Sequence, residues 1–356
     1  MRNATPPPTR GGDVVPGLHP GRRPRRGRRV LVALLAVVLV LLLGAAGVVA
    51  WLASSIGGDI GRIPDAFRGL DASARPAGFG GTTFLLVGTD TRADEPTTGT
   101  DAAAGVDAGS QRSDVIMLGT IAPDGHTASV VSIPRDSWVD IPGRGMNKIN
   151  AAYAYGGAPL LIATVEELTG VRVDHFGVVD FAGFTSLVDS VGGIDVTVAQ
   201  ATSNAGVDFA AGPNHLDGAQ ALAYVRQRYD LPGGDLSRAA RQQNAIKALL
   251  DRVQDTARTD PAALYAFATS VGDAVSVDDS LSNTGLVQLA LQARDLRAGN
   301  MAFVTAPVSG LGREGAQSVV YLDRGRGADL WAAVRNGTVP AYADRYPSDA
   351  LSDTPS

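Results

Sequence analysis

The chain of 356 residues contains no cysteine, which excludes disulfides, a thiol nucleophile and any zinc–thiolate site. Its histidines, His19, His126, His175 and His215, show no metal-ligand spacing, so we interpret them as structural. The sequence also lacks a Walker loop, a GxGxxG turn after a strand, and the signature of a nucleophile elbow. These absences argue against P-loop nucleotide hydrolysis, dinucleotide binding and serine-hydrolase chemistry.

Basic residues are concentrated in the N-terminal tail and are outnumbered elsewhere. The first 29 residues hold eight arginines and one acid, whereas the whole chain carries a net charge of −5. The body of the chain is therefore strongly acidic. Because binding to bulk nucleic acid needs a net basic surface, no nucleic-acid partner is expected.

The N-terminal segments predict a membrane anchor. Residues 1–29 are rich in Pro, Gly and Arg and predict a disordered cytoplasmic tail. Residues 30–52 carry no charge, and as a helix they would cross a hydrocarbon core of about 30 Å. The basic block before them places the N-terminus in the cytoplasm. We therefore expect a single-pass protein of the cell membrane with an extracytoplasmic catalytic domain; a cleaved signal peptide is the alternative.

Short apolar runs alternate with amphipathic stretches after a linker at residues 53–81. Strands are predicted at 82–88, 115–121, 128–133, 174–180, 194–198 and 301–307, with a turn at 212–216. Helices are predicted at 147–155, 158–169, 181–191, 236–255, 261–271, 283–296 and 329–335. The pattern predicts an α/β fold with a central mixed β-sheet flanked by helices. The domain is expected to span 82–310, and residues 311–356 to form a C-terminal helix and a loose tail.

An arginine-rich segment at residues 222–242 predicts an anion site. The residues of this segment that we assign to the site are Arg226, Arg228, Asp235, Arg238, Arg241 and Gln242. The first two arginines stand two apart in an apolar run, and on a strand that spacing points both to one face. After a Pro-Gly-Gly turn, the later arginines and the glutamine share one face of a helix. Guanidiniums brought together in this way suit phosphate oxygens, whereas a solvated helix face with salt bridges is the alternative.

Carboxylates lie beside arginines at the ends of two predicted strands. Asp90 and Arg92 come just after one strand, and Arg112 and Asp114 lead into the next. Two carboxylates near one sheet edge can hold Mg²⁺, which leaves its other positions to phosphate oxygens and water; salt bridges with the neighbouring arginines are the alternative. Arg135 follows a third strand and adds another cation. A metal among several arginines suits a diphosphate better than a carboxylate ligand.

The order of six motifs resembles that of the LytR-CpsA-Psr family. After the apolar segment, the chain reads LLVGTDTR, RSDVIML, SIPRDSWVDIPG, KINAAYAYGG, VDHFGVVDFAGFTSLVDSVGGIDV and LDGAQALAYVRQRYDLPGGDLSRAARQQNAI. The resemblance extends over about residues 82–310. The stretch at 93–111, between the first two motifs, is longer than is usual in the family.

The resemblance implies a cell-wall enzyme. Members of the family transfer a glycosyl phosphate from an undecaprenyl diphosphate carrier to peptidoglycan, usually to a muramic acid 6-hydroxyl. It implies that Asp90 and Asp114 bind Mg²⁺ (or Mn²⁺) and that a hydrophobic pocket near the aromatic helix at 181–191 takes the prenyl chain; ordinary core is the other interpretation of that helix. The residues predicted to surround the diphosphate are Arg92, Arg112, Arg135, Arg226, Arg228, Arg238, Arg241 and Gln242.

Phosphoryl transfer depends more on charge neutralisation and alignment than on covalent catalysis. The predicted catalytic residues are Arg112, Asp114, Arg135 and Asp235, and Asp114, Asp136 or Asp235 could serve as the general base. Two other functions use the same residues. A pyrophosphatase would hydrolyse the same lipid with water, and a non-catalytic, membrane-anchored protein would bind polyprenyl phosphate without needing Mg²⁺. The sequence does not identify the glycopolymer.

Overall fold

The computed structural model describes residues 60–90, 112–293, 296, 298–352, 354 and 355. The chain divides into two compact units, residues 1–49 and 50–356, and every described residue belongs to the second. The predicted tail, the membrane segment at 30–52, and the loop at 93–111 with the preceding Arg92 lie outside the described residues, and for Asp90 and Arg112 only the backbone is described. Within these ranges, no helix is both long and apolar enough to cross a membrane.

The described strands form one large sheet and several hairpins. In chain order they are β1 (Gly61–Ile63), β2 (Thr82–Asp90), β3 (Arg112–Ile121), β4 (Ala128–Ser132), β5 (Trp138–Ile141), β6 (Gly145–Lys148), β7 (His175–Asp180), β8 (Ile194–Val198), β9 (Thr202–Asn204), β10 (Val207–Phe209), β11 (Gly212–Leu216), β12 (Val275–Asp278), β13 (Met301–Thr305), β14 (Val308–Glu314) and β15 (Gln317–Leu322). Among them, seven strands make the sheet β1-β12-β7-β2-β3-β4-β13. Its pairs are parallel at β1/β12, β7/β2 and β4/β13 and antiparallel at the other three, which confirms the prediction of a mixed sheet.

Helices cover both faces of this sheet. They are α1 (Asn150–Thr169), α2 (Phe181–Ser190), α3 (Gly218–Arg226), α4 (Asp235–Thr259), α5 (Pro261–Ala274), α6 (Asn283–Gln292), α7 (Arg324–Asn336) and α8 (Val339–Arg345). Side chains alternate across the strands, so Leu85 of β2 belongs to a core cluster with Leu161 of α1 and Leu330 of α7. Met117 of β3 belongs to a cluster on which Ile246 of α4 packs. Because side chains alternate between the two faces of each strand, the sheet packs against a layer of helices on either side, as the α/β prediction requires.

The sequence correctly predicts a break within α1. Two helices are expected on either side of a glycine pair, and Gly156 and Gly157 indeed have non-helical dihedral angles inside the assigned helix. Gly157 has φ 61° and ψ −152°, a conformation that is strained for a residue with a Cβ. Its neighbour Pro159 has a fixed φ and no N–H, so it suits the first turn of the second half of the helix.

Two local predictions around the arginine segment are wrong. The run that was expected to be a strand, residues 223–229, is not a strand: residues 227–229 lie beyond helix α3, and residues 223–226 are the last residues of that helix, which begins after the N-cap Asp217. That carboxylate accepts from the Gln220 N–H while the Gln220 side chain accepts from the Asp217 N–H, which stabilises the helix start. The expected turn at 212–216 is strand β11, which pairs antiparallel with β8.

The C-terminal segment is more ordered than the expected helix and loose tail. After β13 the chain forms the β14–β15 hairpin and two helices, and residues 346–351 then pack back onto β13. Thr305 donates to the Asp349 carbonyl, and Leu351 donates to the Phe303 carbonyl, so the tail extends the edge of the sheet. The buried Asp349 side chain also accepts from Arg326 and Tyr342, which explains why this polar stretch is fixed.

Candidate active site

The β2–β3 pair ends in an irregularity that sets the position of Asp114. The register shifts between Gly88 and Thr89 of β2, so Asp114 is an extra residue on β3, as in a β-bulge. Beyond the shift, Asp90 is the cross-strand partner of Arg112. The backbone therefore brings both predicted metal-binding positions to the same end of neighbouring strands.

Arg135 reaches this sheet end from β4. Ile133 donates to the Ile116 carbonyl, so the chain after β4 still follows β3 before Pro134 turns it. The guanidinium of Arg135 then forms an ion pair and a hydrogen bond with Asp114. Both side chains are about four-fifths buried, which strengthens their attraction relative to a pair in water.

Helix α4 brings a second carboxylate to the same place. Asp235 is its first residue, and Gly234 before it has φ 52°, a left-handed conformation that favours glycine. Asp235 lies 3.0 Å from Arg228 Nε, 3.2 Å from Arg238 Nη2 and 3.7 Å from Arg135 Nε. We call Asp114, Arg135, Arg228, Asp235 and Arg238 the ion cluster.

The ion cluster holds more positive than negative groups, and this shifts their pKa values. Burial alone would raise the pKa of Asp235, but the guanidiniums of Arg238, Arg135 and Arg228 together lower it. Burial lowers the pKa of Arg238, and the charge of Arg135 adds to that effect. Burial also acts to lower the pKa of Arg135, but Asp114 and Asp235 reverse this and raise it. With three guanidiniums and two carboxylates, the ion cluster keeps positive charge that an anion can neutralise.

A cleft of about 610 Å³ opens beside the ion cluster. Asp114, Arg228 and Arg238 line its polar part together with Arg226 and Gln242. Its apolar lining consists of Val115, Phe181, Val207, Leu222 and Val225. The cleft therefore offers cationic groups and an apolar surface to one ligand, a combination suited to an anionic headgroup on a hydrocarbon chain.

Arg226 lies where the polar and apolar parts of the cleft meet. It is the last residue of α3, and its guanidinium carbon stands 4.6 Å from the centre of the Phe181 ring. Such stacking orients a guanidinium relative to the aromatic ring. Although the predicted strand is wrong, Arg226 and Arg228 both line the cleft, because the helix ends between them.

Arg241 does not reach the cleft, and its predicted placement beside Arg238 is wrong. It is fully buried, donates to Gln227 at 2.6 Å and Thr202 at 3.1 Å, and stacks on the Tyr224 ring at 4.6 Å. Successive helical residues are 100° apart, so a residue at i+3 lies 60° from the first and one at i+4 only 40° away. Gln242, at i+4 from Arg238, therefore lines the cleft, whereas Arg241 turns into the interior.

A further charged pair adjoins the site. Asp136, named from the sequence as a candidate base, lies 3.0 Å from Lys148 Nζ, and its interaction with the Asp235 side chain helps to lower the pKa of Asp235. Sequence reasoning assigned Lys148 no role, although the lysine lies within the KINAAYAYGG motif. The sequence feature that points to Lys148 is the scarcity of lysine, because one of the few lysines in the chain stands at the start of a family motif.

The residues at the end of β2 and β3 fit a hard cation. Asp114 contributes a carboxylate, and the backbone of Asp90 stands at the same sheet end, though its side chain is outside the description. The buried hydroxyls of Thr89 and Ser113 beside them lack a hydrogen-bond partner among the described residues, so oxygen donors are available. Among the described residues, no group of three or more His, Asp or Glu side chains gathers as a metal site, at this position or elsewhere. Mg²⁺ takes one or two carboxylates, and of the two predicted here only the side chain of Asp114 is described.

Known proteins share this architecture and sequence. A family model described as "LytR_cpsA_psr family" matches residues 71–335. The chain is 36% identical over 283 residues to "Cell wall biosynthesis protein LcpA" of Corynebacterium glutamicum, covering 69% of this chain and 54% of that protein. It is 42% identical over 143 residues to "Polyisoprenyl-teichoic acid--peptidoglycan teichoic acid transferase TagU" of Enterococcus faecalis, covering 40% of this chain and 47% of that one.

The fold has a solved counterpart as well. The crystal structure of B. subtilis TagV superimposes with a TM-score of 0.57 at 26% identity, covering 75% of this chain and 99% of that one. The chain spans about half the length of the two curated relatives. The match extends over most of the chain and includes six of the seven strands of the sheet, the cleft and the ion cluster, so this chain belongs to the LytR-CpsA-Psr family.

Proposed function

We propose that the protein is a Mg²⁺-dependent phosphotransferase that moves a glycosyl phosphate from a polyprenyl-diphosphate-linked glycopolymer to a hydroxyl of peptidoglycan. One observation carries the proposal: Arg135, Arg228 and Arg238 surround the carboxylate of Asp235, and two of these arginines, Arg228 and Arg238, also line a cleft with an apolar wall. The name of the relative TagU, a teichoic acid transferase acting on peptidoglycan, supports the same reaction class.

The cleft suits both parts of such a donor. Guanidinium forks bind phosphate oxygens with two donors each, and a diphosphate would add to the negative charge that Asp114 and Asp235 provide. The prenyl chain would lie along Val115 and Phe181. Each methylene removed from water would contribute roughly 0.8 kcal/mol.

Transfer exchanges one phosphorus–oxygen bond for another. The bond to the polyprenyl phosphate oxygen breaks, the acceptor hydroxyl oxygen bonds to the phosphorus of the glycosyl phosphate, and the hydroxyl proton passes to a base. Arg228 and Arg238 would stabilise the charge that develops on the departing polyprenyl phosphate. Asp90 and Asp114 would hold Mg²⁺, which supplies further neutralisation of phosphate charge.

The three candidate bases differ in their surroundings. Asp235 is a weak base at neutral pH, because the neighbouring guanidiniums lower its pKa. Asp136 is held by Lys148. Of the three, Asp114 lines the cleft, so it is the carboxylate best placed to meet either the acceptor hydroxyl or the metal.

The N-terminal segments would keep this site near its substrate. The apolar segment at 30–52 would anchor the chain in the cell membrane, with the tail at 1–29 in the cytoplasm and the catalytic domain outside. A lipid-linked donor is confined to the membrane, so anchoring would raise its concentration at the cleft.

The test is transfer of a lipid-linked glycan to peptidoglycan by the full chain and two arginine variants. We expect Arg228→Ala to slow transfer by about a hundredfold or more, because a group that stabilises transition-state charge is lost. Arg313→Ala is the control, since Arg313 is exposed on the β14–β15 hairpin. Equal loss of activity in the two variants, or none in Arg228→Ala, would contradict the proposal.

Product analysis separates transfer from the other reactions. With acceptor present, the proposal expects glycan attached to peptidoglycan and release of polyprenyl phosphate, both dependent on Mg²⁺. Release of free glycosyl phosphate at the same rate without acceptor would show a pyrophosphatase. Mg²⁺-independent lipid binding without turnover would show a binding protein.

A further inference from the structure

A second groove, of about 620 Å³, lies outside the ion cluster and its cleft. It is bounded by the β5–β6 hairpin, α1, β15 and the start of α7. Trp138, Tyr321 and Trp331 contribute aromatic rings to its lining, and Met146 and Leu168 add aliphatic surface. The groove is therefore a surface feature distinct from the lipid cleft, with its own chemistry.

Alternation along β5 places a tryptophan and a carboxylate on the same outer face. Val139 and Ile141 are buried in the core, so Trp138 and Asp140 point the other way. Across the hairpin, Asp140 is paired with Met146, which is 48% exposed. This surface suits a ring that carries hydroxyl groups. The C–H face of such a ring can pack on the tryptophan and the thioether, and its hydroxyls can donate to the carboxylate.

Two carboxylates of this groove are free to bind. Asp140 and Glu167 are exposed and have no hydrogen-bond or ion-pair partner in the described part of the chain. Asp323 also lines the groove but is paired with Arg326, and among the described lining residues Arg324 is the one cation. This excess of carboxylates repels a polyanion, so the ligand that suits the groove is uncharged and rich in hydroxyls.

Tyr321, which lines the groove, is fixed in place by its neighbours. Its hydroxyl donates to Glu314 at 2.7 Å, and its ring lies against the backbone of Gly312 on the partner strand, where a Cβ would come within 2.4 Å of the ring. A ring held in this way presents its face without a further loss of conformational entropy on binding.

The groove adjoins the ion cluster through a short segment of backbone. Arg135 belongs to the cluster, and three residues later Trp138 belongs to the groove. Ser137 bridges to Val320 of β15, and the Asp136 carbonyl accepts from the Val320 N–H. The lipid cleft is built from other elements, α2, α3 and β9–β10. In-line transfer brings donor and acceptor from opposite sides of the phosphorus, so an acceptor site built from other elements than the lipid cleft is compatible with the reaction.

We infer that this groove is a subsite for the uncharged glycan backbone of the acceptor, with Trp138 as its stacking platform and Asp140 and Glu167 as acceptors of hydroxyl protons. The inference rests on the proposed transfer to peptidoglycan, because it assigns the groove to that reaction's acceptor. It adds a saccharide-binding function to a hairpin that contributes nothing to the lipid cleft.

The test measures binding without catalysis. The full chain in detergent micelles is titrated with a tetramer of N-acetylglucosamine, and quenching of tryptophan fluorescence is followed together with calorimetry. Two of the three tryptophans, Trp138 and Trp331, line the groove, so the signal is local. We expect saturable millimolar binding, weakened by about tenfold or more in Trp138→Ala and largely retained in Trp138→Phe. Asp140→Asn is expected to weaken it as well.

Three comparisons make the result decisive. Tyr265→Ala removes an aromatic ring, 46% exposed, from α5 and should bind the tetramer as the unchanged protein does. Inorganic diphosphate should bind equally to Trp138→Ala and the unchanged protein but less well to Arg228→Ala, so a failure at the ion cluster is seen separately. The inference would be overturned if Trp138→Ala bound the tetramer with wild-type affinity, or if the unchanged protein showed no saturable binding. It would also be overturned if the unchanged protein bound a neutral galactan instead of the tetramer.

Discussion

The carboxylate of Asp235 lies 3.0 Å from the Nε of Arg228 and 3.2 Å from Arg238 Nη2, so the first turn of α4 is tied to the loop before it. In the free protein this carboxylate occupies the centre of a cationic site. We expect Asp235→Asn to raise the affinity for inorganic diphosphate about tenfold, because a competing negative charge is removed. Titration calorimetry of both proteins measures this.

The same substitution should lower stability, because Arg135, Arg228 and Arg238 would then repel each other. Since the fold lowers the pKa of Asp235, its contribution to stability is present above the ordinary value of 3.8 and is lost as the pH falls through the lower folded-state value. Urea unfolding at neutral pH should therefore separate the two proteins. Unchanged diphosphate affinity in Asp235→Asn would show that the carboxylate and the anion do not share a site.

Arg241 is expected to contribute to the stability of the fold and not to the affinity for diphosphate. Its two hydrogen bonds, to Gln227 and Thr202, are buried, and lysine cannot reproduce their forked geometry. Arg241→Lys should lower the free energy of unfolding by roughly 1–3 kcal/mol while leaving the diphosphate affinity of the folded protein unchanged. Denaturant unfolding and titration calorimetry are the measurements; a specific loss of affinity at full stability would restore the predicted role in binding.

Phe181 should matter for the lipid chain and not for the headgroup. Its ring lines the cleft and supports the Arg226 guanidinium at 4.6 Å. Phe181→Ala is expected to weaken binding of long-chain polyprenyl phosphates several-fold, with little effect on inorganic diphosphate, because apolar contact area is lost. Phe184→Ala is a suitable control, since that ring packs against a neighbouring core cluster. Equal effects of Phe181→Ala on long-chain and chain-free ligands would contradict this assignment.

The buried carboxylate of Asp278 predicts that the stability of the protein depends on pH. Asp278 is fully buried; burial acts to raise its pKa, but hydrogen bonds from His175, Ser280 and the Phe176 N–H lower it overall. Asp278→Asn should cost roughly 1–3 kcal/mol at neutral pH. The difference should persist above pH 3.8, the ordinary value, and vanish as the pH falls below it through the lower folded-state pKa. Unfolding curves of both proteins across that range provide the check.

Sequence patterns predicted the layers of this fold better than its local details. Runs such as TTFLLVG become central strands, because helices cover both faces of the sheet and most residues there are at least partly buried. The run AYVRQRY was interpreted as a strand because its two arginines stand two apart, a spacing that on a strand points both to one face. Its helical state is determined upstream by the capping box of Asp217 and Gln220, a signal that was present in the sequence.

The candidate site was predictable in its chemistry and less so in its geometry. The types and order of Asp114, Arg135, Arg228 and Arg238 were sufficient to predict an anion site, because like charges converge only where an anion or a carboxylate joins them. Which helical arginine faces inward could not be read from spacing, since an i+3 neighbour lies near the edge of the shared face. The stacking of Arg241 on Tyr224 involves a contact that only the folded chain defines.

The predicted metal positions are the part that depends most on experiment. The backbone places Asp90 and Asp114 at one sheet end, as the sequence indicated. Binding of Mg²⁺ there stays a prediction, and the same is true of the membrane anchor at residues 30–52 and of Arg92.

A crystal structure of the protein with a polyprenyl-diphosphate-linked ligand would test the central claim most directly. We predict that the diphosphate lies within hydrogen-bonding distance of Arg135, Arg228 and Arg238, with the lipid chain running past Phe181 along the apolar wall of the cleft. A diphosphate bound elsewhere, with the three guanidiniums still paired to Asp235, would contradict the account.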